Sequence, residues 1–333
     1  TAVTDIPLQQ VDVRGGYTAA AGANFYVADN YPEPYRGQMY VNEPTGHLVH
    51  IARIEEEGAG YKEVDGGNIF ASSDAWTAPV YSETGPDGNL WVADWYNPVI
   101  QHNPDARGMD NQIWNDDRGP GNAHLNQMRD LKHGRIYIIK HKNSDRADIN
   151  ALEANDVESL LTALKSPNMF WRTTAQRLLV ENNGPELIPP LIEIADENLD
   201  SPVAIPALWT LNSFGAFQQQ DGMAVLVKGL TEGAEGVKRA SLALLPETLD
   251  GTSLLLESGL LETDNLRLRL AAILRATELP ESDELYERIQ QIRYDETNQE
   301  EKWLKAALNV YFREQNFEDL ADKDIEIVVP SVR

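Results

Sequence analysis

The chain has no cysteine. Disulfides, thiolate metal sites and cysteine nucleophiles are therefore excluded. So is a covalent c-type haem on this chain, because its attachment needs a CxxCH run. Positive charge is scarce: 28 Lys and Arg stand against 53 Asp and Glu, a formal net charge of -25. That excess repels phosphate backbones, so nucleic acid is not an expected partner. A solvated acidic surface, a salty medium, or a face for a basic partner would each accord with it. No apolar run reaches the roughly 18 residues of a membrane span. No basic-then-apolar leader is present, and the chain opens TAVTDIPLQQ without Met. It therefore reads as a mature or processed piece, and export stays open. Phosphate-cradling glycine loops, the Rossmann fingerprint, HExxH and GxSxG are missing too.

What is present is enough for two ordinary domains. The 333 residues are 42% hydrophobic and 24% charged, a globular composition. The first part is rich in Gly, Pro, Asn and aromatics, with short β-like runs between turn signals. Residues 25–28, 38–42, 47–54, 89–94 and 135–140 are such runs, and Gly85-Pro86-Asp87-Gly88 is a turn feeding one of them. Glu55 to Gly60 reads as a charged turn. Frequent short strands with turn-then-strand units predict a sandwich, barrel or propeller, and the GPDG-NLWVAD unit favours a propeller. About five to seven strands amount to one and a half to two four-stranded blades, whereas closure needs at least four. The rest of such a propeller would come from another chain or segment. Residues 103–134 form a long loop carrying Trp114 and Arg118.

From Asp148 onward the period changes to 3.6. Val157, Leu160, Leu161 and Leu164 follow an i, i+3, i+4, i+7 pattern. Breaks such as Ser166-Pro167-Asn168 and Asn182-Asn183-Gly184-Pro185 then recur evenly. They mark out about five helix pairs at a period of about 30–35 residues, the signature of an α-solenoid of HEAT or armadillo type. Arg172, Arg239 and Arg269 each precede or open an Ala-containing apolar stripe on the second helix of a pair. The expected organisation is residues 1–145 as the last blades of a β-propeller, 148–320 as a HEAT-like solenoid, and 321–333 as a tail.

The segments Tyr31-Pro32-Glu33-Pro34-Tyr35-Arg36-Gly37, Val41-Asn42-Glu43-Pro44, Leu48-Val49-His50, Ser72-Ser73-Asp74-Ala75-Trp76, Thr84-Gly85-Pro86-Asp87-Gly88, Val92-Ala93-Asp94-Trp95-Tyr96-Asn97 and His133-Gly134-Arg135-Ile136-Tyr137 carry a resemblance. Together they resemble the membrane-bound dehydrogenase family of planctomycetes, verrucomicrobia and bacteroidetes. Its members join a sugar- or sorbosone-dehydrogenase-like propeller to HEAT repeats and usually a c-type cytochrome domain. The resemblance implies an extracytoplasmic, quinoprotein-like oxidoreductase acting on a sugar. It also implies pyrroloquinoline quinone with calcium as cofactors, and a c-type cytochrome as partner.

The densest cluster of aromatic, acidic and imidazole groups lies within Phe70–His102. Asp94 ends a strand-like run and offers the hard oxygen that calcium takes. Trp95 and Tyr96 suit stacking on a quinone or sugar ring, and Asp74 with Trp76 suits a pocket lip. His102 suits a general base, and Arg107 a bidentate contact to a quinone carboxylate. The plainer reading makes Trp95 and Tyr96 core residues and Asp94 a turn cap. Glu43, His47 and His50 form a weak metal pattern. The alternative to an enzyme is a non-catalytic propeller and HEAT scaffold that docks other chains.

Overall fold

The computed structural model describes residues 19–74, 76–97, 132–144 and 151–315. Antiparallel β-structure comes first and helices follow, as the change of period predicts. The chain divides into two compact units. The first takes Thr1–Glu55, Lys62–Leu152 and Ser166–Thr174; the second takes Glu56–Tyr61, Glu153–Lys165 and Ala175–Arg333. No helix among the described residues is long and apolar enough to cross a membrane.

Two sheets make up most of the first unit. One is ordered β1 (Ala21–Phe25), β2 (Met39–Glu43), β3 (Leu48–Glu57) and β4 (Gly60–Ala71); the other is β5 (Pro79–Thr84), β6 (Leu90–Asp94) and β7 (Arg135–Ile139). The β3–β4 reversal at Glu56–Tyr61 is counted with the second unit. β2 alternates as a half-buried strand should, with Tyr40 and Asn42 inward. β1 comes close to β5 at Gly22, which has φ +48; a Cβ there would lie 2.3 Å from the Val80 carbonyl oxygen. Only glycine fits both that backbone and that gap.

The sequence places the Gly85–Gly88 turn and the strand after it correctly. Gly85 N–H donates to Asn89 O (2.8 Å), and the Asp87 carboxylate accepts from Asn89 N–H (3.2 Å) and Trp91 Nε1–H (2.8 Å). β4 and β5 are not legible in the sequence. The expected Glu55–Gly60 turn is the end of β3, a tight reversal and the first residue of β4. Glu, Lys, Asp and Gly dominate GYKEVDGGNIFA because most of β4 faces solvent, so it lacks the apolar alternation of a half-buried strand.

Tyrosines fill the centre of this unit. Tyr26 and Tyr31 stack with centroids 4.3 Å apart and ring planes 9° from parallel, and Tyr40 meets Tyr26 edge-on at 6.3 Å. All three are at most 2% exposed. A buried hydroxyl must find partners. Tyr26 Oη accepts from Tyr31 N–H (3.1 Å) and donates to Gly88 O (2.6 Å). Tyr31 Oη accepts from Leu90 N–H (3.0 Å) and donates to Ile139 O. Burial pushes the Tyr31 phenol up to about 12 and raises Tyr26 and Tyr40 as well. Side chains thus join the sheets: Tyr31 reaches β6 and β7, while Asn42 Nδ2 of β2 donates to Ser82 Oγ of β5 (3.0 Å).

The second unit is helical. Its early members are α1 (Val157–Ala163), α2 (Met169–Asn182), whose first turn is counted with the first unit, α3 (Ile188–Asp196), α4 (Ala204–Ser213) and α5 (Gln220–Thr231). Then come α6 (Glu235–Ala243), α7 (Leu249–Glu257), α8 (Leu266–Glu278), α9 (Asp283–Arg293), α10 (Glu296–Glu300) and α11 (Lys302–Gln315). Each expected helix is present to within a few residues. Side chains cap many of the starts: Asp156, Thr248, Asn265, Ser282 and Asp295 each accept a backbone N–H. Consecutive helices pack as pairs, α3 on α4, α5 on α6 and α7 on α8; α3 also touches α5, and α4, α6, α8 and α11 touch in succession. Buried Ala207, Ala240, Ala272, Ala276 and Ala307 allow that approach.

The recurring arginines divide into two uses. Arg172 and Arg269 are buried and reach back to a carbonyl six residues earlier. Arg172 Nη1 donates to Ser166 O (2.5 Å) and Arg269 Nε to Thr263 O (2.9 Å). Each follows a capping Asn by four residues: Asn168 Oδ1 accepts from Phe170 N–H, and Asn265 Oδ1 from Arg267 N–H and Leu268 N–H. The pairing of cap and arginine closes the inter-helix turn. Arg239 instead is exposed and meets Tyr61 Oη at 3.3 Å.

Arg267 holds a further cluster within the second unit. It contacts Glu235 with two nitrogens (2.8 and 2.7 Å) and Glu56 with a third (2.7 Å). The Arg267 hydrogen bonds hold the Glu235 carboxyl down to about 2.

Two predictions follow from these contacts. Tyr31→Phe should cost about 1–3 kcal/mol, because it leaves the buried Leu90 N–H without its acceptor. Denaturant unfolding measures it, with the exposed Tyr61→Phe as a near-neutral control. Glu235→Gln should lower the melting temperature at neutral pH. The lowered folded pKa means that the carboxylate's stabilisation is complete above the unfolded value and is lost as pH falls toward about 2. The gap between wild type and variant should therefore narrow as pH drops below about 4.5.

Candidate functional site

β6 ends at Asp94, where the pairing places Pro79 of β5 on one side and Arg135 of β7 on the other. At this end of the sheet the structure brings together Asp74, Trp76, Asp94 and Tyr96, four of the residues singled out in the sequence. It adds Arg135 and Tyr137.

Asp94 is 3% exposed and its oxygens are engaged by the protein. Oδ1 accepts from Ala78 N–H and Tyr96 N–H, both at 2.7 Å, and Oδ2 accepts from Tyr137 Oη–H at 3.0 Å. The carboxylate thereby fastens the turn that leaves β6. Tyr96 in that turn has φ 51, a left-handed backbone that costs a non-glycine residue energy and persists only when its surroundings impose it. The hydrogen bond to Asp94 is part of what imposes it.

The conformation aims the Tyr96 ring into a charged, aromatic cluster. Its hydroxyl donates to Asp74 Oδ2 (3.2 Å), and its ring lies 5.8 Å from that of Trp76, tilted by 33°. The Arg135 Cζ sits 3.4 Å from the Tyr96 centroid, a cation–π contact. Arg135 Nη1 is 3.6 Å from Asp74 Oδ2 and donates to Tyr137 Oη at 3.3 Å. Partial desolvation and the Asp74 carboxylate raise the Tyr96 pKa, and the Tyr137 hydroxyl raises that of Arg135. Asp74 is itself braced: Oδ1 accepts from Trp76 N–H (3.0 Å), and its N–H donates to Ser72 Oγ (3.1 Å). His47, the other non-glycine residue with positive φ among the described residues, donates from Nδ1 to Thr77 O at 2.5 Å.

Trp95 donates its N–H to Ala78 O (2.9 Å) and is half-buried; the ring beside Tyr96 is that of Trp76. His102 and Arg107, with most of the 103–134 loop, lie outside the described residues. The Glu43–His47–His50 pattern does not converge. Glu43 accepts from Ala19 N–H and Thr45 N–H, while His50 faces Asn68 and Glu63.

Residues 2–143 match a protein family described as "Domain of unknown function (DUF7133)". The match covers less than half of the chain. No curated protein and no solved structure matches it.

As it is bonded, Asp94 fits calcium poorly. Among the described residues no group of three or more His, Asp and Glu converges. Asp94 already accepts from three donors, and the Arg135 guanidinium occupies the space beside Asp74. The carbonyls of the Gly85–Gly88 turn are drawn inward too: Gly85 O and Pro86 O accept from Asn168 Nδ2 and Trp171 Nε1, both at 2.9 Å.

Arg135 and Tyr137 were not legible as site residues. They stand two apart on one strand, so they share a face. Their place beside Asp94 depends on a β6–β7 register across some forty intervening residues, which no local signal specifies. Asp94→Ala should destabilise the first unit by about 1–3 kcal/mol by stranding the buried Ala78 N–H and releasing the part-buried Tyr96 N–H. Thermal melts with and without calcium check the assignment; the loss should be the same in both.

Proposed function

We propose that the first unit is part of a β-propeller that binds a carbohydrate at the cluster of Asp74, Trp76, Tyr96 and Arg135. The observation that carries this reading is the arrangement of two half-buried rings beside a carboxylate and a guanidinium. A sugar presents an apolar C–H face and a rim of hydroxyls. Ring surface suits the face, while a carboxylate and a planar guanidinium suit paired hydroxyls. The four-stranded and three-stranded sheets then correspond to one blade and most of a second, and the helix pairs to a HEAT-like stack. Another chain or segment would supply the remaining blades.

The resemblance noted in the sequence extends the proposal to an extracytoplasmic, quinoprotein-like sugar dehydrogenase that passes electrons to a c-type cytochrome. In that reading His102 would take the hydroxyl proton and Arg107 would face a quinone carboxylate. The second reading, a carbohydrate-binding or docking scaffold without oxidation chemistry, is favoured by the commitment of Asp94 to backbone N–H groups.

Titration of the chain with a panel of neutral and acidic sugars, followed by tryptophan fluorescence and calorimetry, tests the binding. Trp76→Ala and Arg135→Met should each weaken it about tenfold or more, the order expected for losing a stacking or bidentate contact. Wild type that binds no sugar, or variants that bind as well as wild type, would remove the proposal. Sugar-dependent dye reduction by the complete assembly with added quinone and calcium then decides between oxidoreductase and scaffold.

A further inference from the structure

A groove of about 780 Å³ runs between α3 and α5. Its floor is apolar, with Ile188 and Val225 buried, Ile192 half-buried, and Pro189 and Ala224 exposed along the lip. From Ile188 to Asp196 the α3 wall rises about 12 Å, room for roughly two helical turns of a ligand. The charges at the ends are not balanced. Glu186 and Asp221 stand at one end, and Asp196 at the other is bonded to Lys228 (2.7 and 2.9 Å). Three carboxylates against one ammonium leave the lining two negative charges in excess. Among the described residues no aromatic ring lines the groove, which leaves them no stacking surface for a sugar or base.

We propose that this groove docks a short cationic amphipathic segment of a partner protein. The segment's apolar side chains would cover Pro189, Ile192 and Ala224, and a Lys or Arg would lie against Glu186 and Asp221. An amphipathic helix laid into an apolar groove is a recurrent mode of recognition, and charge complementarity sets its sign. A second copy of the chain is a poor occupant, since each copy carries a formal charge of -25. This docking is independent of the carbohydrate reading; either can hold without the other.

The test uses the whole chain and a synthetic Leu/Lys amphipathic helical peptide, with a Ser/Lys peptide of equal charge as control. Calorimetry should show salt-dependent binding of the first peptide, about tenfold tighter than the second. The double reversal Glu186→Lys with Asp221→Lys should weaken it about tenfold, and Ala224→Trp, which fills the groove from an exposed position, by a similar factor. Glu257→Lys, an exposed reversal on α7, should change it less than about twofold. Circular-dichroism melting checks that each variant folds. Should one not, a photo-crosslinking Leu analogue in the peptide, mapped by mass spectrometry on wild type, decides instead: crosslinks on α3 and α5 support the proposal. Crosslinks elsewhere, equal losses in Glu257→Lys and the groove variants, undiminished binding by the groove variants, or no binding at all would overturn it. So would a concentration-dependent dimer that Ala224→Trp abolishes.

Discussion

The buried hydroxyls of Tyr26 and Tyr31 are the constraint on which the first unit turns. The core of the two sheets mixes tyrosine rings with aliphatic Val49, Ile51, Leu90 and Val92, and the polar ends of the rings cannot be left dry. Each hydroxyl takes one backbone N–H and gives its proton to one carbonyl, so the rings are held at both ends. Without cysteine, this is how the chain cross-links distant backbone: Tyr31 ties residues 90 and 139 to the loop after β1. The end of the sheet bearing Asp94 inherits its position from that tie, because β6 and β7 are the strands the hydroxyl grips.

The candidate site repeats the logic at smaller scale. Asp94 is spent on geometry, and what it secures is the left-handed backbone of Tyr96. The ring then lies beside Trp76, with the Arg135 guanidinium over it. Arg135 is exposed, yet it packs on the Tyr96 ring and lies beside the Asp74 carboxylate. Its guanidinium sits where three side chains can fix its plane, a requirement for reading paired hydroxyls or a carboxylate rather than merely attracting them.

The sequence disclosed these features unevenly, for physical reasons. Helices were legible to within a few residues because each buries one stripe, and because Ser166-Pro167-Asn168 and its counterparts interrupt the period sharply. Strands with an inward face, such as β2 and β6, were legible as well. β4 was not: its ladder partner defines it, and its outward residues carry no apolar rhythm. The cluster from Asp74 to Tyr96 announced itself by density of aromatic and acidic groups, but density does not tell a ligand-binding carboxylate from a turn-fastening one. That distinction needs the positions of Ala78 N–H and Tyr96 N–H, as the partnership with Arg135 needs the strand register.

β7 brings a different matter into view. It closes the order of its sheet among the described residues, and it turns Ile136 (68% exposed) and Ile138 (40% exposed) outward. A strand of that kind is a template on which other strands can assemble. What opposes such assembly between copies is the long-range repulsion of two strongly acidic bodies, which acts over about 10 Å at 0.1 M salt and over about 3 Å at 1 M. The acid surplus is thus a colloidal safeguard as well as a surface composition, and its reach is set by the medium in which the protein works.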